Sequence, residues 1–261
     1  MTQLDSAWLD DALGVARDAA AAAAEVIARY YRRDVAVELK DDATPVTIAD
    51  RESETEIKRV LQARFPEHGY YGEEHGVERD DSEFLWLIDP IDGTKSFVRG
   101  YPFFSTQIAL MHRGEVVLGV SSASQFGEVA WARRGGGAFL NGERIAVSMV
   151  DRVEDAAISF GNLKTMAGDQ RWLRMAALVR RANRVRGYGD FYHYHLLARG
   201  CIDAVVESDV NILDIAALAC VVREAGGRFS DLEGRPIDLH TTSVLAAAPG
   251  LYDALDASFV D

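Results

Sequence analysis

Cysteines, basic residues and long apolar runs are all scarce in this sequence of 261 residues, and each shortage excludes a class of protein. The only cysteines, Cys201 and Cys220, lie in apolar runs outside any Cys-x-x-Cys pair, so we expect neither a disulfide framework nor a zinc site. The 28 lysines and arginines are outnumbered by 41 aspartates and glutamates, which gives a formal net charge of −13. This balance argues against non-specific nucleic-acid binding, which needs a basic surface.

No segment of the sequence looks like a membrane span or a signal peptide. The N-terminal stretch MTQLDSAWLDDALG is acidic, and the alanine-rich run over 19–28 is short and bounded by charges. No fixed-period repeat or low-complexity linker interrupts the chain. We therefore expect a cytoplasmic protein that binds neither membranes nor nucleic acids.

The order of the predicted elements indicates the fold class. Apolar periodicity predicts helices over 6–32 and 47–65, and another over ILDIAALACVVREAGG near the C-terminus. Strand-like segments such as FLWLI and STQIALMH fill the middle of the chain. The pattern favours a layered α/β or α+β fold, with an N-terminal half over 1–150 and a C-terminal half over 151–261.

The stretch WLIDPIDGTKSF places two acidic residues where an apolar strand ends. Asp89 and Asp92 are neighbours in a tight turn and repel each other, which a hard divalent cation such as Mg²⁺ would relieve. The carbonyl of Ile91 offers a further oxygen ligand, and Gly93 lets the backbone approach an anion at the start of a helix. An ordinary Asp-Pro turn with a capping aspartate explains the stretch equally well.

Two other segments carry acidic residues in similar settings. GYYGEEHG places Glu73 and Glu74 between glycines, and NILDIAALA places Asp214 near the start of a helix. Taken alone, the first is typical of a solvated turn, and the second of an aspartate that interacts with the helix dipole.

Together, GEEHG, DPIDGTKSF and LDIAALACVVREAGG resemble, in order, the motifs of the inositol monophosphatase family. The resemblance extends from about PVTIAD to EAGG. It implies a layered α-β-α-β-α sandwich of the inositol monophosphatase / fructose-1,6-bisphosphatase type, usually a homodimer. It also implies a lithium-sensitive phosphomonoesterase that uses two or three Mg²⁺ ions per site.

The resemblance assigns roles to particular residues, which follow as one set. The implied metal ligands are Glu73, Asp89, Asp92 and Asp214, with the carbonyl of Ile91. Glu73, Asp92 and Thr94 are the implied catalytic residues, with Glu73 and Thr94 orienting the attacking water, and Gly93 and Thr94 bind the phosphate. Lys95 either reaches the phosphate or faces solvent.

The chain departs from the family pattern at two positions. Leu213 replaces the usual tryptophan, where we expect a packing role, and Thr44 replaces an aspartate common in inositol-type members. The second change weakens the case for a general base from this loop. Thr47 in the same segment either supports the water network or, as we favour, caps the following helix.

Substrate choice should depend on the C-terminal half. Glu207 matches the family glutamate that contacts the alcohol part of the substrate, and Asp190 replaces a small uncharged residue. Two acids suit a cationic leaving group, although Asp190 as a plain helix cap is an alternative. The segments TPVTIADR, DPIDGTKSFVRG, YGDF and VVREAGGR also resemble the histidinol-phosphate phosphatases of this superfamily, so we favour L-histidinol phosphate. For His193 and His195 we favour packing or surface roles. Arg99 either borders the site or pairs with an acidic patch.

Other functions remain open at this point. Inositol 1-phosphate and a broad range of phosphomonoesters are the nearest alternatives to histidinol phosphate. Hydrolysis of 3′-phosphoadenosine nucleotides would require base-stacking groups, which Tyr188, Phe191 and Tyr192 offer, but the neighbouring acids disfavour a second phosphate. A regulatory protein without turnover is a different class, and the loss of a metal carboxylate would favour it.

Overall fold

The computed structural model describes residues 4–33, 37–39, 45–79, 81–168 and 170–257. Within these ranges the chain forms helices of between five and 25 residues. In chain order they are α1 (Ser6–Tyr30), α2 (Ile48–Arg64), α3 (Thr94–Val98), α4 (Leu163–Ala167), α5 (Arg171–Arg181), α6 (Asp190–Ala198), α7 (Ile212–Glu224) and α8 (Pro249–Asp256).

The strands of the described residues belong to three sheets. In chain order they are β1 (Val37–Leu39), β2 (Pro45–Thr47), β3 (Gly69–Gly72), β4 (Gly76–Glu78), β5 (Phe84–Asp92), β6 (Ser105–His112), β7 (Glu115–Ala123), β8 (Glu128–Arg133), β9 (Gly137–Leu140), β10 (Glu143–Ile145), β11 (Ala157–Phe160), β12 (Arg184–Arg186), β13 (Ala204–Ser208), β14 (Arg228–Ser230) and β15 (Ser243–Ala247). β1 and β2 form an antiparallel pair.

Two larger sheets build the frame of the molecule. The first has eight strands in the order β10-β9-β8-β7-β6-β5-β3-β4, and only its β3–β5 pair is parallel. The second has five strands in the order β12-β11-β13-β15-β14, with parallel pairs on both sides of β11. The chain passes from the first sheet to the second between Ile145 and Ala157.

The buried side chains arrange these elements in five layers. Helices α1 and α2 pack on one face of the eight-stranded sheet. Helices α6 and α7 fill the space between its other face and the five-stranded sheet. Helices α4, α5 and α8 cover the outer face of the five-stranded sheet. Alternate residues of each strand thus belong to different cores, and the predicted α-β-α-β-α sandwich is confirmed.

Most predicted elements occur close to their expected bounds, and the differences are local. Strand β5 does not stop before the acidic residues but continues to Asp92, with a break in register between Asp89 and Asp92. The glycine-rich stretch RRGGGAFLNGER, whose glycines are typical of a turn, also contains β9 and β10. Because α7 of the C-terminal half packs between the sheets, the division into halves near residue 150 stays a prediction.

Hydrogen-bonded caps fix the starts of the two helices nearest the site. Thr47 caps α2, since its hydroxyl accepts from the Ala49 N–H, which confirms the favoured interpretation of this residue. Leu213 in the first turn of α7 is buried in the core, as expected of a packing residue. None of the helices in the described ranges combines the length and apolar character needed to cross a membrane.

Candidate active site

Three carboxylates converge where β5 ends and α7 begins. One oxygen each from Asp89, Asp92 and Asp214 lies within 4.8 Å of the other two. Asp89 is buried, and the other two side chains are half-buried. The structure thus brings together three of the acidic residues that the sequence singled out, although they come from distant parts of the chain.

Local structure explains how each carboxylate reaches this point. The register break after Asp89 turns the strand, and Oδ1 of Asp89 accepts a hydrogen bond from the Ile91 N–H at 3.0 Å. Asp214 is the third residue of a capping box, in which it accepts from the backbone and side-chain N–H groups of Asn211 at 2.9 and 2.8 Å. Asp214 is therefore both a helix-capping residue and a member of the acidic cluster.

The electrostatics of the cluster favour a cation. Burial, and then the charges of Glu73 and Asp92, raise the pKa of Asp89 well above its ordinary value. Burial, and then the charge of Asp214, do the same for Asp92. Burial also raises the pKa of Asp214 to about 7. An all-oxygen set of mutually repelling carboxylates fits a hard divalent cation such as Mg²⁺.

Glu73 joins this cluster from the turn between β3 and β4. Its side chain is hydrogen-bonded to Asp89, and its backbone N–H donates to the Ile88 carbonyl of β5 at 3.1 Å. The turn runs beside β5 because β3 and β5 form the parallel pair of the sheet. The sequence-based expectation that Glu73 and the three aspartates meet is therefore matched by their placement.

A residue that the sequence analysis missed holds this turn. Glu54 of α2 is fully buried, and its carboxylate accepts from the backbone N–H groups of Glu74 and His75 at 2.7 and 3.2 Å. Nδ1 of His75 lies 2.9 Å from the same carboxylate. Gly72 has to be a glycine, because a Cβ there would lie 1.9 Å from Oε1 of Glu54.

A second missed residue, Asp50, pairs with Thr94. The Thr94 hydroxyl lies 3.2 Å from Oδ1 of Asp50 and 3.0 Å from the Ile91 carbonyl. Asp50 is fully buried in α2 and accepts two further hydrogen bonds from Thr47, at 2.7 and 2.6 Å. Burial raises the pKa of Asp50 above its ordinary value, although the hydrogen bonds from Thr47 oppose this. The loop around Thr47 therefore does supply a candidate proton acceptor.

The backbone after Asp92 has the predicted form. Gly93 adopts a φ of +92°, and a Cβ there would lie 2.6 Å from the Phe103 carbonyl oxygen. The Gly93 carbonyl accepts the first bonds of α3, so the N–H groups of Thr94 and Lys95 precede the helical ladder. The side chains of Lys95 and Arg99 are exposed. Thr44, the other departure from the family pattern, lies outside the described residues.

A second acidic group adjoins the cluster. The charges of Asp190 and Glu207 contribute to the raised pKa of Asp92. Glu207 is buried, and its Oε2 lies 3.1 Å from Nε2 of His193 and accepts from the Tyr194 hydroxyl at 2.7 Å. Glu207 is therefore already hydrogen-bonded to two side chains of α6.

Asp190 differs from the helix cap that was its alternative interpretation. It is the first residue of α6, with a φ of +45°, and the cap position is taken by Gly189. Burial, and then the charge of Glu207, raise the pKa of Asp190 to about 6. Among the residues that the structure describes, no lysine or arginine pairs with this carboxylate.

The two histidines of α6 are both buried, so the surface role considered for them is wrong and the packing role holds. Nδ1 of His193 lies 3.2 Å from the Ser159 hydroxyl, and the opposite nitrogen faces Glu207. His195 lies between Glu128 and Ser121, at 3.0 and 2.9 Å. The polar contacts of both rings show that they also orient other side chains.

Comparisons with known proteins agree with this geometry. The sequence profile of the Inositol monophosphatase family matches residues 8–260. The chain belongs to the inositol monophosphatase family. It is 41% identical to a protein named histidinol-phosphatase from Mycobacterium tuberculosis over 211 residues, which cover 79% of this chain and 81% of that protein. A histidinol-phosphatase from Streptomyces coelicolor is 37% identical and covers 95% of this chain and 96% of its own length.

Solved structures of the family have the same fold. An inositol monophosphatase from Zymomonas mobilis is 31% identical, with a TM-score of 0.86, and the match covers 98% of this chain and 99% of that one. The chain is thus a phosphatase of this family. The homodimer that the resemblance implies stays a prediction.

Proposed function

We propose that this chain hydrolyses L-histidinol phosphate to L-histidinol and phosphate with the help of Mg²⁺. The observation that carries the choice of substrate is Asp190, a half-buried carboxylate beside Glu207 with no lysine or arginine partner in the described part of the chain. A leaving group that carries an ammonium and an imidazole would supply the missing positive charge. The names of two relatives, both histidinol-phosphatases, support the same choice.

The acidic cluster would hold the magnesium ions. We assign Glu73, Asp89, Asp92 and Asp214 as side-chain ligands, with the Ile91 carbonyl as a further oxygen. The convergence of three carboxylates within 4.8 Å supports this assignment. When bound, magnesium supplies Lewis-acid stabilisation of the phosphate and lowers the pKa of water at the site.

The proton of the attacking water would pass to Thr94 and Asp50. The Thr94 hydroxyl can donate to Asp50 while its lone pairs accept from a water. The raised pKa of Asp50 makes it a better acceptor for the proton that Thr94 releases. Glu73 would orient the same water from the opposite turn. Gly93, Thr94 and Lys95 would contribute backbone N–H groups to the phosphate oxygens.

The leaving group would lie between Asp190 and Glu207. The bonds from His193 and Tyr194 hold Glu207 in one orientation, so it can accept from an N–H group of the leaving group without moving. Asp190 keeps its charge available for a cation. We therefore assign recognition of the ammonium or imidazole group to Asp190.

A phosphate-release panel with Mg²⁺ tests the proposal. L-histidinol phosphate, inositol 1-phosphate, 3′-phosphoadenosine 5′-phosphate and a neutral alkyl phosphate are compared by kcat/KM. We expect the first to be the best substrate. A larger kcat/KM for inositol 1-phosphate would overturn the choice of substrate, and no turnover of any ester would overturn the proposal as a whole.

Replacement of Asp190 tests the basis of that choice. Asp190→Asn keeps the size of the side chain and removes its charge, so KM for L-histidinol phosphate should rise about 10- to 100-fold, the value of one or two charge-assisted hydrogen bonds. KM for the neutral alkyl phosphate should change less than about threefold. Equal increases for both esters would remove Asp190 from the recognition site.

A further inference from the structure

Gln107 is a buried polar residue in the middle of the eight-stranded sheet. It lies on β6, where every residue is buried, and its own side chain is fully inaccessible to solvent. The strand register places it opposite Asp89 on one side and Ser121 on the other, and places Ser105 opposite Asp92. A buried amide is destabilising unless it makes hydrogen bonds, so its partners are informative.

The amide nitrogen of Gln107 bridges two serines. Nε2 lies 2.7 Å from the Ser105 hydroxyl and 3.0 Å from the Ser121 hydroxyl. Ser105 in turn lies 3.4 Å from Oδ2 of Asp92. Ser121 lies 2.9 Å from Nε2 of His195. A continuous polar chain therefore leads from the acidic cluster to helix α6.

This series of hydrogen bonds ends on charged side chains near the surface. Nδ1 of His195 lies 3.0 Å from Oε2 of Glu128. The other oxygen of Glu128 accepts from Arg199 at 2.9 Å. Because Arg199 is always a donor and the Glu128 carboxylate is an acceptor, the direction of the first bonds in the chain is fixed.

The remaining directions follow from donor and acceptor balance. Glu128 requires His195 to donate from Nδ1, so a neutral His195 accepts at Nε2 from the Ser121 hydroxyl. Burial lowers the pKa of His195, which favours the neutral ring. Ser121 then needs a donor for its own oxygen, and the Gln107 amide is that donor. The second amide proton goes to Ser105, whose hydroxyl is left to donate to Asp92.

We propose that Gln107 is a positioning residue for Asp92. It orients the Ser105 hydroxyl toward the carboxylate, and its own amide is held in place by Ser121 and His195. The last contact, from the Ser105 hydroxyl to Oδ2 of Asp92, is 3.4 Å long and would hold the carboxylate in the orientation that it presents to the cluster. Among the described residues Oε1 of Gln107 meets no donor, so the contacts of its side chain are those of the amide nitrogen.

Helix α6 connects this series of hydrogen bonds with the proposed recognition residue. The helix that anchors Gln107 through His195 also carries Asp190, the proposed recognition residue. Asp92 is thus connected to α6 through side chains, and Asp190 lies on the same helix. The inference rests on the proposed metal-dependent function, since the orientation of Asp92 acts through cation binding.

Titration with Mn²⁺, followed by the electron paramagnetic resonance signal of the free ion, tests the inference without turnover. We expect Gln107→Leu, which keeps the volume but removes both donors, to raise the Kd for Mn²⁺ about tenfold. Ser105→Ala should have a similar effect, and the double variant should add nothing further, because both changes break one path. The control for lost stability is Val120→Ala, which should leave the Kd unchanged. Val120 lies beside Ser121 on β7, but its side chain packs in the core between α1 and the eight-stranded sheet.

The outcomes separate this inference from the proposed function. Absence of Mn²⁺ binding in the wild-type protein would overturn the proposed function. Normal binding with unchanged affinity in Gln107→Leu, or fully additive effects of the two substitutions, would overturn the positioning role alone. Nitrogen-15 NMR of labelled histidine gives an independent readout, since His195 should carry its proton on Nδ1. A proton on Nε2 would reverse the direction of the hydrogen bonds from His195 to Ser105 and refute the positioning role of Gln107.

Discussion

Lowering the pH from 7 to 5 should destabilise this protein through His68. The imidazole ring lies between Phe65 and Phe84, with ring centroids 4.8 Å away on each side and near-parallel planes. Its Nδ1 accepts a hydrogen bond from the indole N–H of Trp86 at 3.0 Å. Protonation of Nδ1 would remove this acceptor and place a charge in an apolar stack, so the folded state favours the neutral ring.

The size and sign of the effect follow from the pKa of His68. Burial lowers this pKa to about 4, whereas an unfolded chain has a histidine pKa of about 6.5. The stabilisation is therefore fully present above about pH 6.5 and is lost as the pH falls toward 4. From these two pKa values, the free energy of unfolding should fall by about 2 kcal/mol between pH 7 and pH 5. Because the ring is only partly buried, solvent screening reduces this loss to about 1 to 2 kcal/mol.

Urea unfolding followed by tryptophan fluorescence gives the free energy of unfolding at pH 7 and at pH 5. The loss of stability between the two pH values is compared between the wild-type protein and His68→Gln. The glutamine amide can still accept from Trp86 but does not titrate, so it removes the proton-linked term. Other titrating groups are common to both proteins and cancel in the comparison. The wild-type protein should lose about 1 to 2 kcal/mol more than the variant between the two pH values. Equal losses would refute the assignment of a lowered pKa to His68.

Two further predictions concern the proposed active site. Gly72→Ala should displace the Glu54 carboxylate, because the new Cβ would lie 1.9 Å from its Oε1, and raise the Mg²⁺ concentration for half-maximal activity about tenfold. Gly14→Ala, where a Cβ meets nothing within 4 Å, is the control; a Gly72→Ala enzyme as sensitive to Mg²⁺ as the wild type would contradict the role of Glu54. Thr94→Val should lower kcat about 100-fold or more with little change in KM, and Thr94→Ser should recover most of it, as measured by steady-state phosphate release. An unchanged kcat in Thr94→Val would exclude the hydroxyl from the proton path.

The acidic cluster was predicted from the resemblance of three ordered motifs to the inositol monophosphatase family, since each motif alone also suited an ordinary turn or helix cap. Asp89 and Asp92 follow an apolar strand, and Glu73 lies between glycines in a turn. Asp214 lies in the first turn of a helix that is apolar along most of its length. Helix bounds could be predicted directly, since caps and prolines are local features.

The residues that support the site were not predictable in the same way. Asp50 and Glu54 are one helical turn apart on α2, and the sequence around them reads as an ordinary charged helix. Their burial depends on the packing of α2 against the turn after β3, which no local pattern encodes. A pair of carboxylates on the face of α2 that also carries Ile57 and Leu61 was the available signal, since that face is the buried one.

The supports and the cluster obey one physical rule. Several of the implied ligand and recognition residues are held by a side chain from another element. Glu54 of α2 holds the turn that carries Glu73, Ser105 of β6 contacts Asp92, and His193 of α6 contacts Glu207. Without these contacts, a carboxylate that repels its neighbours would rotate away from them, because like charges in a buried site destabilise each other. The sandwich therefore does more than bring acids together. Neighbouring elements hold the orientation of these acids, so the energy of binding a cation would not be spent on ordering the side chains.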